Sequence, residues 1–190
     1  ILSHDLKVAL KKGEFYLEYQ PQVHANGEVI GVEALLRWNH SLYGRIPPPV
    51  IVAIAEETAQ IKSLGDWVIH QACRQLADWK ASGLQRFRLS INLSVRQLEE
   101  PYLEETVAEA LAINQLEPEE VELEITENIA LANDKRTLGT LSQLHSLGVR
   151  IAIDDFGMGH TSLRYLRAFP VTTVKVDRSL TESLNCNVQE

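Results

Sequence analysis

Two rhythms divide the chain: short runs with apolar residues at every second position, and longer runs with them at every third or fourth. The first predicts strands and the second helices. Phe15-Tyr16-Leu17-Glu18-Tyr19 predicts a strand ended by Gln20-Pro21, and Val29 to Trp38 predicts a second. Between them Asn26-Gly27 marks a hairpin-type turn, too short for a crossover helix, so these strands are expected to be antiparallel neighbours. Pro47-Pro48-Pro49 opens a predicted helix over Val50 to Ala59, since proline is tolerated at a helix start. The next helix, Asp66 to Ala81, carries Val68, Ile69, Ala72, Leu76 and Trp79 on its apolar stripe, with Gly83 at its end. Strands at Phe87 to Leu93, Val121 to Ile125, Val149 to Ile153 and Thr173 to Val176 then alternate with helices. Those helices are expected at Leu103 to Asn114, Asp134 to Ser146 and Ser162 to Arg167. Such alternation predicts an α/β fold with a mostly parallel sheet covered by helices.

The polar positions inside these strands fall on one face. Leu89, Ile91 and Leu93 oppose Ser90 and Asn92; Val121, Leu123 and Ile125 oppose Glu122 and Glu124; Ile151 and Ile153 oppose Ala152 and Asp154. With the aliphatic face against helices, Asn92, Glu124 and Asp154 point the other way, at the C-terminal ends of their strands. Periodicity leaves an open sheet and a closed barrel both possible; in a barrel, that end is where active sites lie. Glu33 within Val32 to Trp38, the pair Asp154-Asp155, and Lys175 and Asp177 extend the set. Carboxylates beside strand residues are costly to bury unless something cationic satisfies them. The donors are all oxygens, which suits Mg²⁺, Mn²⁺ or Ca²⁺ rather than Zn²⁺. Adjacent carboxylates at Asp154 and Asp155 can serve two ions about 3.5–4 Å apart, an arrangement used to hydrolyse phosphodiesters. Lys175 can stabilise charge on a phosphoryl group or position the attacking water.

Composition narrows the partners. With 190 residues, 45% of them hydrophobic and 23% charged, the chain suits one soluble domain. A net charge of −8 without a basic run argues against a nucleic-acid polymer as partner. No apolar stretch predicts a membrane contact, and Cys73 and Cys186 read as free thiols of a reducing cytoplasm, though a parent protein can still be membrane-anchored. Taken singly, each site residue has a plainer explanation. Asp154-Asp155 before Phe156-Gly157 can cap a helix or form a turn, and Glu124 can pair with Arg150 on the neighbouring strand. Lys175 can be a structural partner of Asp177 or Asp154. Trp38, Trp67 and Trp79 read as packing residues, and most of the six histidines as surface residues.

The motifs that carry these residues resemble the EAL domain family of bacterial cyclic di-GMP phosphodiesterases. They run in order along almost the whole chain: Tyr19-Gln20-Pro21, Glu33-Ala34-Leu35-Leu36-Arg37-Trp38, Ala55-Glu56-Glu57-Thr58, Asn92-Leu93-Ser94, Leu123-Glu124-Ile125-Thr126-Glu127, Asp154-Asp155-Phe156-Gly157 and Lys175-Val176-Asp177-Arg178-Ser179. The resemblance implies a modified TIM (β/α)8-type barrel with an antiparallel first strand. It implies Mg²⁺- or Mn²⁺-dependent hydrolysis of cyclic di-GMP to linear pGpG at a two-metal site, with Ca²⁺ inhibiting. Carried over by residue, Glu33, Asn92, Glu124 and Asp154 resemble ligands of one metal, and Asp154 and Asp155 ligands of the second. Lys175 resembles the lysine beside the attacking water, with Asp177 the aspartate near it, and Arg37 an arginine that contacts a substrate phosphate. Glu127 resembles a glutamate that anchors the loop after Asp155, a loop tied to dimerisation. Gln20 and Leu35 resemble substrate-wall positions.

Met158 and His160 depart from the threonine and tyrosine usual in that loop. The family's last strands and helices, with a further glutamate and glutamine, find no match before Glu190, and the chain opens on Ile1. Residues 1–190 are therefore expected to be a C-terminally incomplete EAL domain, excised from a larger protein with fused sensor or GGDEF domains. Homodimerisation is expected too. The rival readings are a catalytically weak or inactive cyclic di-GMP receptor, and a module that mainly dimerises and relays signals.

Overall fold

Apolar alternation runs longest after the Asn26-Gly27 turn, and there the computed structural model places its longest strand, β2 (Val29–His40). The structure describes residues 2–84, 87–127, 129, 135–157 and 169–185. An N-terminal helix α1 (Leu2–Lys12) leads into β1 (Phe15–Val23), which is antiparallel to β2 with Gln20 opposite Glu33 and Glu18 opposite Leu35. A short strand β3 (Gly44–Ile46) folds back on the end of β2. Helices α2 (Pro48–Glu57) and α3 (Ile61–Ala81) then carry the chain to β4 (Arg88–Asn92), parallel to β2. A single-turn helix α4 (Val95–Leu98) and α5 (Leu103–Asn114) precede β5 (Val121–Thr126). Helix α6 (Lys135–Ser146) precedes β6 (Arg150–Phe156), and β7 (Thr173–Val176) is followed by α7 (Arg178–Asn185).

The sheet order is β1-β2-β4-β5-β6-β7, with β3 beside β2, and every pair from β2 to β7 along that path is parallel. Among the described residues β7 does not pair with β1, so the sheet is open and no barrel closes. The predicted aliphatic face is the one covered by helices. Leu89, Ile91, Leu123, Ile125, Ile151 and Ile153 are buried against residues of α3, α5 and α6. A second cluster joins Leu6 and Ala9 of α1 to Trp38, Ile46, Ile51 and Leu64, with Trp67 packed against it. Trp79 stacks edge-on against Tyr19 and Phe87, so all three tryptophans pack rather than form a binding platform.

Several boundaries differ from expectation. β1 does not stop at Gln20-Pro21 but continues to Val23; it is an edge strand, where a proline's missing donor is tolerated. Helix α3 begins at Ile61 rather than Asp66, and Ile61, Leu64 and Gly65 of that extra stretch are buried. β6 runs past Ile153 to Phe156, although its register against β7 slips between those residues. His40 is buried rather than on the surface: its Nδ1 accepts from the Leu42 and Tyr43 amides, and its Nε2 faces Asp5. Cys73 is buried as a hydrophobe, and burial pushes its thiol up to about 12, so it is unreactive at neutral pH. Cys186, the predicted helix at Ser162 to Arg167, and Met158 and His160 lie outside the described residues.

Candidate metal centre at the strand ends

The polar face of the sheet is built in two levels. In the lower one, Glu122 is almost fully buried yet well satisfied. Its carboxylate accepts from Ser90 Oγ at 3.2 Å and Thr173 Oγ1 at 2.6 Å, with Arg88 Nη1 at 3.4 Å and Arg150 Nε at 3.8 Å. Gln22 Nε2 donates to Ser90 from the far side of β2. The carboxylate nearest Arg150 is therefore Glu122, at ion-pair distance and without a hydrogen bond from Nε, not Glu124 as one sequence reading allowed.

One turn of the pleat higher, Glu33, Asn92, Glu124, Asp154 and Lys175 meet. Parallel pairing with Asn92 opposite Glu124 and Thr126 opposite Asp154 brings these strand ends together. Lys175 Nζ donates to Glu124 Oε2 at 2.6 Å and Glu33 Oε2 at 2.9 Å, and Asp154 Oδ1 lies 3.9 Å away. Its main partners are therefore the two glutamates, with Asp154 third and Asp177 not among them. Asn92 Nδ2 donates to Glu33 Oε1 at 2.7 Å. One carboxylate oxygen each from Glu33, Glu124 and Asp154 lies within 4.8 Å of the others.

The contrast between Glu122 and Glu124 is decisive for the chemistry. Glu124 is 0% exposed, and its Oε1 has no hydrogen-bond partner. An unpaired buried carboxylate oxygen is costly, and the carboxylate that carries it belongs to a ring of oxygen donors. Such a ring fits a hard divalent cation. Burial pushes the Glu124 carboxyl up to about 7, opposed by the hydrogen bond and charge of Lys175. Burial opposes the charge on Lys175, but its bonds to Glu124 and Glu33 hold the ammonium above its ordinary range.

Asp155 stands apart from this ring. It is exposed and adopts φ +54°, a left-handed conformation unusual for a residue other than glycine. The register slip of β6 is a bulge that re-aims Asp154 and Asp155. Partial burial and then the charges of Asp154 and Asp177 raise the Asp155 carboxyl above its ordinary range. Asp177 itself accepts from the Ser179 amide at 2.8 Å at the start of α7, and hydrogen bonding to the Ser179 side chain, then to its amide, holds its carboxyl low.

Immediately after the bulge, Gly157 N donates to the buried Glu127 carboxylate at 2.8 Å, and Asp177 N donates to Phe156 O at 3.1 Å. Gly157 has φ +106°, and a Cβ there would collide with the Leu180 side chain of α7. Gly157→Ala is expected to cost about 1–3 kcal/mol in a denaturant melt, through the conformation and the collision together. A loss below about 0.5 kcal/mol, within the usual range of surface changes, would show that α7 yields freely.

Beyond the ring, Leu35 and Arg37 continue the Glu33 face of β2, with exposed Gln20 opposite Glu33 on β1. Leu35, Arg37, Pro48, Val52, Leu64 and Asn92 line a mainly apolar cavity of about 170 Å³. Arg37 Nε donates to Glu18 at 2.6 Å, and Arg45 Nη2 donates to the same oxygen at 2.7 Å. Glu18 and Arg45 were missed from sequence. The alternation that set Glu33 on one face of β2 was the signal for Glu18, and the unpredicted β3 hid Arg45.

The chain belongs to the EAL domain family, whose match covers residues 3–189. It is 42% identical over 184 residues to the bifunctional diguanylate cyclase/cyclic di-GMP phosphodiesterase MucR of Pseudomonas aeruginosa, covering 96% of this chain and 27% of MucR. The oxygen sensor protein DosP of Escherichia coli is 36% identical over 183 residues, which are 96% of this chain and 23% of DosP. A solved structure of the MucR phosphodiesterase in complex with c-di-GMP superposes with a TM-score of 0.89 at 42% identity, over 96% of this chain and 74% of that one. The chain thus spans about a quarter of the length of these curated relatives. Among the described residues no helix is long and apolar enough to cross a membrane.

Proposed function

We propose that this chain is the cyclic di-GMP-hydrolysing module of a larger, cytoplasmic signalling protein, one that works as a homodimer beside fused sensor or GGDEF domains. The observation that carries the reading is the ring of Glu33, Glu124 and Asp154 beside Lys175, in which the buried Glu124 carboxylate keeps one oxygen without a partner. Relatives named as cyclic di-GMP phosphodiesterases, and the likeness to a c-di-GMP complex, support the substrate.

Glu33, Asn92, Glu124 and Asp154 would hold one Mg²⁺ or Mn²⁺, and Asp154 with Asp155 a second. Such ions, when bound, lower the pKa of water and neutralise charge on a phosphodiester. The residues themselves position the reactants. Lys175, gripped by two carboxylates, aims a fixed ammonium at the reacting phosphate and the water beside it. Arg37 takes a non-bridging phosphate oxygen further along β2, while Gln20 and Leu35 form the wall on which the nucleotide rests. Asp177 closes the side next to Lys175. Glu127, through Gly157, keeps the Asp154–Asp155 bulge in place. Hydrolysis adds one water: its oxygen bonds to phosphorus as the P–O3′ bond breaks, and the departing 3′ oxygen takes up a proton.

The test is chromatography of cyclic di-GMP incubated with the chain in Mg²⁺, Mn²⁺, Ca²⁺ or chelator. Conversion to pGpG in Mg²⁺ or Mn²⁺ alone is the expected result. Retention of bound, uncleaved cyclic di-GMP in every ion would replace the hydrolase with a receptor.

A further inference from the structure

Arg37 and Arg45 reach one carboxylate oxygen from two different strands. Glu18 lies opposite Leu35 on β1, and Arg45 lies opposite Asn39 on β3. Antiparallel partners share a face, so Glu18, Arg37 and Arg45 all stand on the Glu33 side of the sheet. Arg37 Nε and Arg45 Nη2 both donate to Glu18 Oε2, at 2.6 and 2.7 Å, which sets the two guanidinium groups side by side. Arg37 Nη1 is tied to the Leu36 carbonyl at 2.9 Å, whereas no acceptor engages Nη2 among the described residues. The Arg37 side chain is only 13% exposed, so its free edge faces a partly desolvated site where an anion is screened little.

Exposed ion pairs contribute little to stability, and Arg45 is 58% exposed, so stability alone does not account for this grouping. Two cations around one carboxylate leave a local positive excess in a chain of net charge −8. Its position is equally informative. Glu33 and Arg37 are four residues apart on one strand, roughly 13 Å between Cα atoms. A ligand touching both ends must be longer than one phosphate group, and a cyclic dinucleotide carries two.

We propose that Glu18 is a positioning residue that fixes Arg37 by its Nε and draws Arg45 beside it, making Arg45 a second phosphate-binding residue for the phosphodiester remote from the carboxylate ring. The assignment of that phosphodiester rests on the hydrolase reading; the two-arginine anion site itself does not. Hydrogen bonding to Arg37 holds the Glu18 carboxyl below its ordinary range, in keeping with a permanently ionised anchor.

The experiment follows the arginine Nε–H resonances by NMR while inorganic phosphate is titrated into the metal-free protein. The same variants are assayed for turnover of cyclic di-GMP, and their melting is recorded. In the parent chain phosphate is expected to shift the Arg37 Nε–H resonance saturably. Arg45→Gln should weaken that response, and raise KM for cyclic di-GMP, about 5–10-fold with kcat nearly unchanged, the scale of one charge-assisted phosphate contact. Arg45→Lys, which keeps the charge without the planar fork, should restore part of it. Glu18→Gln should move the Arg37 Nε–H resonance from its hydrogen-bonded position and speed its exchange with water. A merely structural pair would lower the melting temperature of Glu18→Gln and Arg45→Gln alike and leave phosphate response and KM at parent values; that result overturns the proposal. If the parent chain cleaves no cyclic di-GMP while phosphate still moves Arg37 in an Arg45-dependent way, the anion site stands and the hydrolase reading falls. If phosphate leaves Arg37 unmoved in the parent chain, the anion site falls whatever the turnover.

Discussion

Asp154→Asn is expected to lower turnover of cyclic di-GMP by about a hundred- to a thousandfold, the scale on which removal of one preorganised electrostatic group acts. Asp154 is one of the three carboxylates within 4.8 Å of one another, and it adjoins Asp155 across the bulge. It is thus the residue proposed to serve both ions. Asparagine keeps the shape and removes the charge, so the fold should persist while the ring loses one of its anionic oxygens. Asp155→Asn should cost less, because Asp155 is exposed and outside that ring, and because asparagine tolerates the left-handed conformation seen at φ +54°. Initial rates at rising Mn²⁺ would measure both. If Asp154→Asn kept more than about a tenth of the parent rate at saturating Mn²⁺, a smaller loss than that scale allows, its place in the centre would be lost.

Much of this centre was legible because a strand has a period of two. Once Leu123 and Ile125 were assigned to the helix-covered face, Glu124 had to lie on the other, and the same logic placed Asn92 and Asp154. Periodicity does not say which lateral neighbour satisfies a charge. Arg150 and Glu124 share a face, but the register sets Arg150 opposite Glu122, and Arg150 pairs there. Nor does it show a strand continuing through Pro21, since only edge position makes that proline tolerable. Helix α1 was readable in principle, with Leu2, Leu6, Ala9 and Leu10 at helical spacing, but that stripe is short and polar residues separate it. β3 carries almost no signal, being three residues held by pairing to β2, and Arg45 was missed with it. The bulge at Asp154–Asp155 is a matter of register between β6 and β7, which no local pattern encodes.

Glu124→Gln should make the metal-free protein more stable at pH 8 while abolishing the hydrolysis proposed for it. The folded-state carboxyl titrates at about 7, above its ordinary value of 4.5, because burial disfavours the charge more than Lys175 favours it. Between those values the native state binds more protons than the unfolded chain, so stability falls as pH rises through that window. Above it the penalty is complete, on the order of 3 kcal/mol from a shift of this size. Lys175 does not alter the sign: its pKa is raised, so its contribution is complete at neutral pH and is lost only in strong alkali. Glutamine resembles the protonated acid, and Lys175 keeps Glu33 at 2.9 Å as a partner. The variant should therefore match the parent near pH 5 and exceed it at pH 8 by about 1–3 kcal/mol, or several degrees in melting temperature. A divalent cation should stabilise the parent through preferential binding to the folded state, more at pH 8 than at pH 6, and leave the variant unmoved. Turnover should fall about a thousandfold with the lost ligand charge. Thermal melts at pH 5 and pH 8, with and without Mn²⁺, check the stability and cation effects, and initial rates of cyclic di-GMP cleavage check the turnover. A variant no more stable than the parent at pH 8 would mean that Lys175 already satisfies Glu124, and that the unpartnered oxygen awaits no cation.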